Sequence, residues 1–114
     1  MRRSGVKISE DVRVVEGSHK ALGGLIRIAA CIQGGRLEDV SITGDFTLLP
    51  ASGIANLESA VKGMEAAPEA ILSRFREVYR EMDLQSPGVT AEDFASALVA
   101  AIGSVTADSR PGGA

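Results

Sequence analysis

Two alternating apolar runs joined through a glycine pair constrain this chain more than any other feature. In Leu25-Ile26-Arg27-Ile28-Ala29-Ala30-Cys31-Ile32, the residues Ile26, Ile28, Ala30 and Ile32 fall on one face and Leu25, Arg27, Ala29 and Cys31 on the other, because successive strand side chains point to opposite sides. Leu37-Glu38-Asp39-Val40-Ser41-Ile42-Thr43 alternates again, with Val40 and Ile42 as its apolar pair. Gln33-Gly34-Gly35 between them is a turn signal, so the runs form an antiparallel hairpin with one buried face. Parity then bears on the loop. A two-residue Gly34-Gly35 turn pairs Ile28 with Ser41 and leaves Val40 and Ile42 on the wrong face. A three-residue loop, Gln33 to Gly35 with Gly35 left-handed, pairs Ile28 with Val40 and Ile26 with Ile42. The longer loop is the expected one.

On either side the signals are shorter. Val12-Arg13-Val14-Val15, ending before Gly17, reads as a brief edge strand, and Phe46-Thr47-Leu48-Leu49 as a brief third strand stopped by Pro50. Three helical patterns follow. Ser52 can cap the first, where Ile54, Leu57, Val61 and Met64 recur at helical spacing towards Gly63. The second opens on Pro68 and carries Ile71, Leu72, Phe75, Val78, Tyr79 and Met82 opposite Arg74, Glu77 and Glu81. The third has Thr90 and Asp93 spaced as a capping box, with Val89 placed to staple onto Phe94 and Ala97, Leu98, Ala101, Ile102 and Val105 continuing the face. Strands followed by helices imply an α+β, two-layer domain with about three antiparallel strands on three helices.

A chain of 114 residues suits one core. It is expected to run from about residue 12 to 105, between a polar start and the small, turn-rich stretch Thr106–Ala114. Apolar residues are 45% and charged residues 24%, which is a folding composition. The net charge of −3 and an aromatic content of 4% argue against a nucleic-acid partner, which selects for positive fields and stacking surfaces. No uncharged run approaches the length that spans a bilayer, so no membrane partner is expected and a reducing cytoplasm is the expected location. With Cys31 and His19 the only residues of their types, neither an intrachain disulfide nor a three- or four-ligand zinc site can be assembled.

Four features bear chemistry-capable groups. Cys31 lies mid-strand, where a thiol is normally a small hydrophobe. His19 stands beside Lys20 in an expected turn and reads as a surface histidine without a partner. Lys20-Ala21-Leu22-Gly23-Gly24 has the glycines and the cation of a phosphate loop, but it enters a strand rather than a helix and reads as a turn. Gly44-Asp45-Phe46 is expected to be a sharp corner in which Gly44 takes a positive φ and Asp45 caps local N–H groups, or else a carboxylate and ring offered to a partner.

Taken in order, His19-Lys20-Ala21-Leu22-Gly23-Gly24-Leu25-Ile26-Arg27, the hairpin ending Val40-Ser41-Ile42-Thr43-Gly44-Asp45-Phe46, Pro50, Leu57-Glu58, Gly63 and Gly88-Val89 resemble the accessory domain of lipoate-protein ligases. That domain is either the C-terminal part of the ligase or a separate small subunit. Thr47 stands where the family usually has a second aromatic. The resemblance implies a SufE/NifU-like fold of the kind also seen in iron–sulfur scaffold and sulfur-acceptor proteins. It also implies a non-catalytic subunit that assists ATP-dependent activation of lipoate to lipoyl-adenylate by capping a catalytic large subunit, with lipoyl acceptor domains as indirect partners. ATP, Mg and lipoate are then expected in the complex and none on this chain alone. Lys20, Gly23, Gly24, Arg27, Gly44, Asp45 and Phe46 would belong to the contact surface or lie near the adenylate pocket. The alternative on the same fold is a single-cysteine sulfur acceptor or iron–sulfur assembly protein, which needs Cys31 on an exposed loop.

Overall fold

The computed structural model describes the backbone of residues 12–113 and the side chains of residues 12–104. Strands β1 (Val12–Ala21), β2 (Gly24–Gln33) and β3 (Arg36–Gly44) form one antiparallel sheet in the order β1-β2-β3. Helices α1 (Gly53–Val61), α2 (Pro68–Met82) and α3 (Ala91–Gly113) follow. α3 packs on β1 and β2, α1 packs on β3, and α2 bridges the other two helices. The covered sheet face holds Val15, Ile26, Ile28, Ala30, Ile32, Val40 and Ile42, all buried, as the alternation predicts. Leu57, Val61, Ile71, Phe75, Phe94, Leu98 and Ala101 meet them from the helices.

Parity is satisfied by a different device from the one expected. The β2–β3 turn is the two-residue Gly34-Gly35, with φ of 60° and 79°, the mirror-image backbone that matches strand twist and that glycine tolerates. The extra residue sits in β3 as a bulge opposite Cys31 and Ile32. Beyond it the pairing is Ile28 with Ile42, Ala30 with Val40 and Ile26 with Gly44, two residues from the expected register but with the same face buried.

The third strand is β1, ten residues long instead of four. Residues 46–49 form no strand; Leu49 makes only a bridge to Gln85, with N–H···O contacts of 2.8 Å in both directions. Ser52 is already helical (φ −68°, ψ −9°) and its side chain makes no cap bond, contrary to its expected role. The capping box at α3 is present. Asp93 N–H donates to Thr90 Oγ1 at 3.2 Å and Thr90 N–H donates to Asp93 Oδ2 at 2.9 Å, with Val89 and Phe94 both buried. α3 continues to Gly113, past the expected end near Val105. The expectation for the first ten residues lies outside the described ones.

Candidate functional site

Three loops converge at one end of the sheet, and glycines let them. The β1–β2 turn, Leu22-Gly23, is held by Gly23 N–H donating to the Gly88 carbonyl at 2.8 Å. A Cβ on Gly23 would lie 2.1 Å from the Pro87 carbonyl oxygen, and one on Gly88 (φ 75°) would lie 2.6 Å from Gly23 N. On the other side, Leu25 N–H donates to Asp45 Oδ1 at 2.6 Å while Asp45 N–H donates to the Leu25 carbonyl at 3.1 Å. Gly44 has φ 154°, as expected for the corner. Asp45 does cap an N–H, but the N–H belongs to the neighbouring strand, twenty positions back.

The sequence-derived candidates therefore divide by position. Gly23, Gly24, Gly44 and Asp45 come together at this end. Lys20 and Arg27 lie on the uncovered face of the sheet, Lys20 opposite Leu25 and Arg27 between Ser18 and Thr43. Phe46 turns inward: it is half-buried and its ring meets Phe94 edge-on, centroids 5.2 Å apart. Two concavities flank the hairpin. A cleft of about 790 Å³ is lined by Lys20, Ala21, Leu22, Gly88, Val89 and Asp93. A groove of about 510 Å³ runs over the outer sheet face past Arg27, Leu25, Ser18, Ser41 and Thr43.

His19 is not the unpartnered surface residue that its neighbours implied. It lies in β1 facing α3, and its Nε2 stands 2.8 Å from Asp93 Oδ1. One carboxylate thus closes the α3 cap and ties β1 to it across 74 positions. Partial burial works against ionisation of Asp93, but the Thr90 N–H, the His19 hydrogen bond and the Thr90 hydroxyl together outweigh it and hold the carboxyl below its ordinary range. The ionised carboxylate's contribution to stability is therefore present in full above the ordinary aspartate pKa and is lost as the pH falls through the lower folded value. In urea titrations from pH 7 to pH 3, Asp93→Asn should flatten this part of the pH dependence, and Asp93→Ala, which removes the acceptor outright, should cost about 0.5–2 kcal/mol at neutral pH, the range of a lost cap.

The adjoining loop is fixed by a short relay. Tyr79 Oη donates to Ser86 Oγ at 2.7 Å and Ser86 Oγ donates to the Val89 carbonyl at 2.7 Å. Burial, with Asp93 and Glu92 nearby, pushes the Tyr79 hydroxyl up despite the Ser86 bond, so it stays a donor. Arg76 Nε reaches Glu92 Oε2 at 3.0 Å and holds that exposed carboxyl below its usual range. Sequence reasoning missed Pro87, Gly88 and Val89 as neighbours of Gly23. A Pro-Gly pair favours a turn, but nothing local signals what that turn will touch.

Cys31 is half-buried within β2, opposite Val14 and Asp39, and not on a loop. Among the described residues no three His, Cys, Asp or Glu side chains converge to hold a metal ion, and no helix is long and apolar enough to cross a membrane.

Sheet, one-sided helices and a glycine-packed loop junction define a small two-layer α+β domain. Residues 14–98 match the family described as "Bacterial lipoate protein ligase C-terminus". The chain belongs to that family. It is 38% identical over 79 residues to "Lipoate-protein ligase A subunit 2" of Thermoplasma acidophilum, an overlap of 69% of this chain and 81% of the relative. A solved chain from the same organism superposes with a TM-score of 0.70 at 34% identity, covering 76% of this chain and 96% of the other. That structure is described as an archaeal lipoylation system, a bi-partite lipoate protein ligase and its E2 lipoyl domain.

Proposed function

We propose that this chain is the small, non-catalytic subunit of a two-component lipoate-protein ligase. In this reading it joins a catalytic large subunit and assists the ATP-dependent conversion of lipoate to lipoyl-adenylate by capping the reaction chamber. One observation carries the reading: this chain covers 81% of a relative that is itself named as a separate ligase subunit. In this reading ATP, Mg and lipoate are held on the large subunit's side of the complex. What this chain supplies is a shaped end. The start of β2, just past the Leu22-Gly23 turn, and the Asp45 corner lock to each other through the Leu25–Asp45 hydrogen bonds, giving a stiff surface that can exclude water from a mixed anhydride.

The test separates the two half-reactions. Purified chain and catalytic subunit are mixed, complex formation is read by light scattering, and adenylate formation and lipoyl transfer are timed independently. Asp45→Ala removes the tie at Leu25 N–H and should slow adenylate formation several-fold while transfer from preformed lipoyl-adenylate stays near the parent rate. Equal losses in both steps would contradict capping, and absence of a complex would contradict the subunit reading.

A further inference from the structure

The two edges of the sheet are unequal. On β3 the outward backbone groups are used: Leu37 N–H donates to the Met64 carbonyl at 2.8 Å, Gly63 N–H donates to the Leu37 carbonyl, Val40 N–H meets Asp39 Oδ1 at 3.1 Å, and Ile42 N–H meets Glu58 Oε2 at 2.8 Å. The β1 edge has no such cover among the described residues. The β1–β2 hairpin closes on the pair Ala21–Gly24 around a two-residue turn, and the closing pair of such a hairpin is hydrogen-bonded. Alternation then aims the backbone groups of Val14, Glu16, Ser18 and Lys20 away from β2. Of the three exposed large apolar residues among the described ones, Val14, 71% exposed, lies on this edge and Leu22, 99% exposed, in the turn just past its end. An open edge with exposed apolar groups is a template for another strand.

We propose that this edge pairs with a second copy of the same chain, β1 antiparallel to β1 about a two-fold axis at Ser18. The strip is self-complementary in that register and in no neighbouring one. Centring on Ser18 sets Glu16 opposite Lys20 of the partner copy, twice by symmetry, and Val14 in the row of the partner copy's Leu22. Centring on Glu16 opposes two glutamates and centring on Lys20 opposes two lysines, both unfavourable. Centring between Glu16 and Ser18 sets Val14 against Lys20 and pairs no opposite charges. The Ser18 register joins the two sheets into one of six strands, with an α3 beneath each central strand. Among the described residues, the exposed ones in the middle of α3 are small, Ser96, Ala100 and Gly103, which leaves room there for the second helix. This assembly is independent of the ligase reading.

Sedimentation of the full chain from micromolar to millimolar concentration tests it, with hydrogen exchange at the outward amides as a second readout. The parent should show a monomer–dimer equilibrium, and the amides of Glu16, Ser18 and Lys20 should gain protection as the dimer forms. Glu16→Lys or Lys20→Glu alone should weaken the dimer at least about tenfold, since each replaces two attractive cross-strand pairs with two repulsive ones. The double exchange, Glu16→Lys with Lys20→Glu, should restore the parent affinity. Ser18→Pro, which removes only an outward N–H, should leave a folded monomer. A parent that stays monomeric throughout, a dimer indifferent to the single charge reversals, or edge amides protected only when a catalytic subunit is added would each overturn the proposal.

Discussion

Phe94→Ala is expected to lower stability by about 3–5 kcal/mol, the cost of emptying a large aromatic site in a core that cannot close around it. Phe94 is fully buried, and three rings lean on it: Phe46 at 5.2 Å and Phe75 and Tyr79 at 6.3 Å between centroids. Those rings come from the corner after β3 and from α2, while Phe94 itself comes from the first turn of α3. Its removal therefore loosens the corner and two helices together. A domain is typically stable by only about 5–15 kcal/mol, so the loss is a large fraction of the whole. Urea titration should show a much lower midpoint at an unchanged slope. Phe94→Leu, which keeps most of the volume, should lose far less. A shift under about 1 kcal/mol for Phe94→Ala, at the low end of measured core effects, would mean the ring cluster does not hold the corner.

Gly17→Ala should be costly for the opposite reason. A Cβ at Gly17 would stand 2.3 Å from Ala101 N, 2.7 Å from Ala101 Cα and 2.8 Å from the Ala97 carbonyl oxygen. All three are backbone atoms of α3, so no side-chain rotation relieves the clash and the helix itself must lift from β1. Overpacking of this kind costs about 1–3 kcal/mol and sometimes more. The gain from replacing a strand glycine, about 0.5–1 kcal/mol, opposes it without cancelling it. Gly103→Ala supplies the contrast: nothing lies within 4 Å of its added Cβ, and alanine in a helix is favoured over glycine by about 1 kcal/mol. The expected pattern is a thermal midpoint that falls for Gly17→Ala and rises for Gly103→Ala. Similar shifts for both would contradict the close strand–helix approach.

Gly17 also shows where sequence reading stopped. β2 and β3 were legible because Ile26, Ile28, Ile32, Val40 and Ile42 alternate with residues facing away from the core. β1 was not, beyond its first four residues, because its inward positions after Val15 are Gly17, His19 and Ala21. They are small or polar since α3 presses directly on that strand, and an apolar alternation has no room there. The parity argument correctly required one extra residue between the paired runs, but local sequence does not distinguish a longer loop from a bulge. Thr90-x-x-Asp93 was readable as a cap since its partners are three apart. The bond from Asp93 to His19 was not, because only the tertiary fold brings the two together. The same holds for Gly23 against Gly88. Of the candidate surface, the glycines and Asp45 proved to be neighbours, Lys20 and Arg27 share the outer sheet face, and Phe46 is drawn inward by Phe94. That last contact involves an aromatic partner forty-eight positions away, which no local pattern signals.

The most direct test of the proposed role is the rate of lipoyl-adenylate formation by the catalytic large subunit, followed as pyrophosphate exchange, with and without this chain. An assisting subunit shows no exchange alone, raises the large subunit's rate on addition, and saturates at one copy per catalytic site. Exchange by this chain in isolation, or an unchanged large-subunit rate when a stable complex has formed, would contradict it.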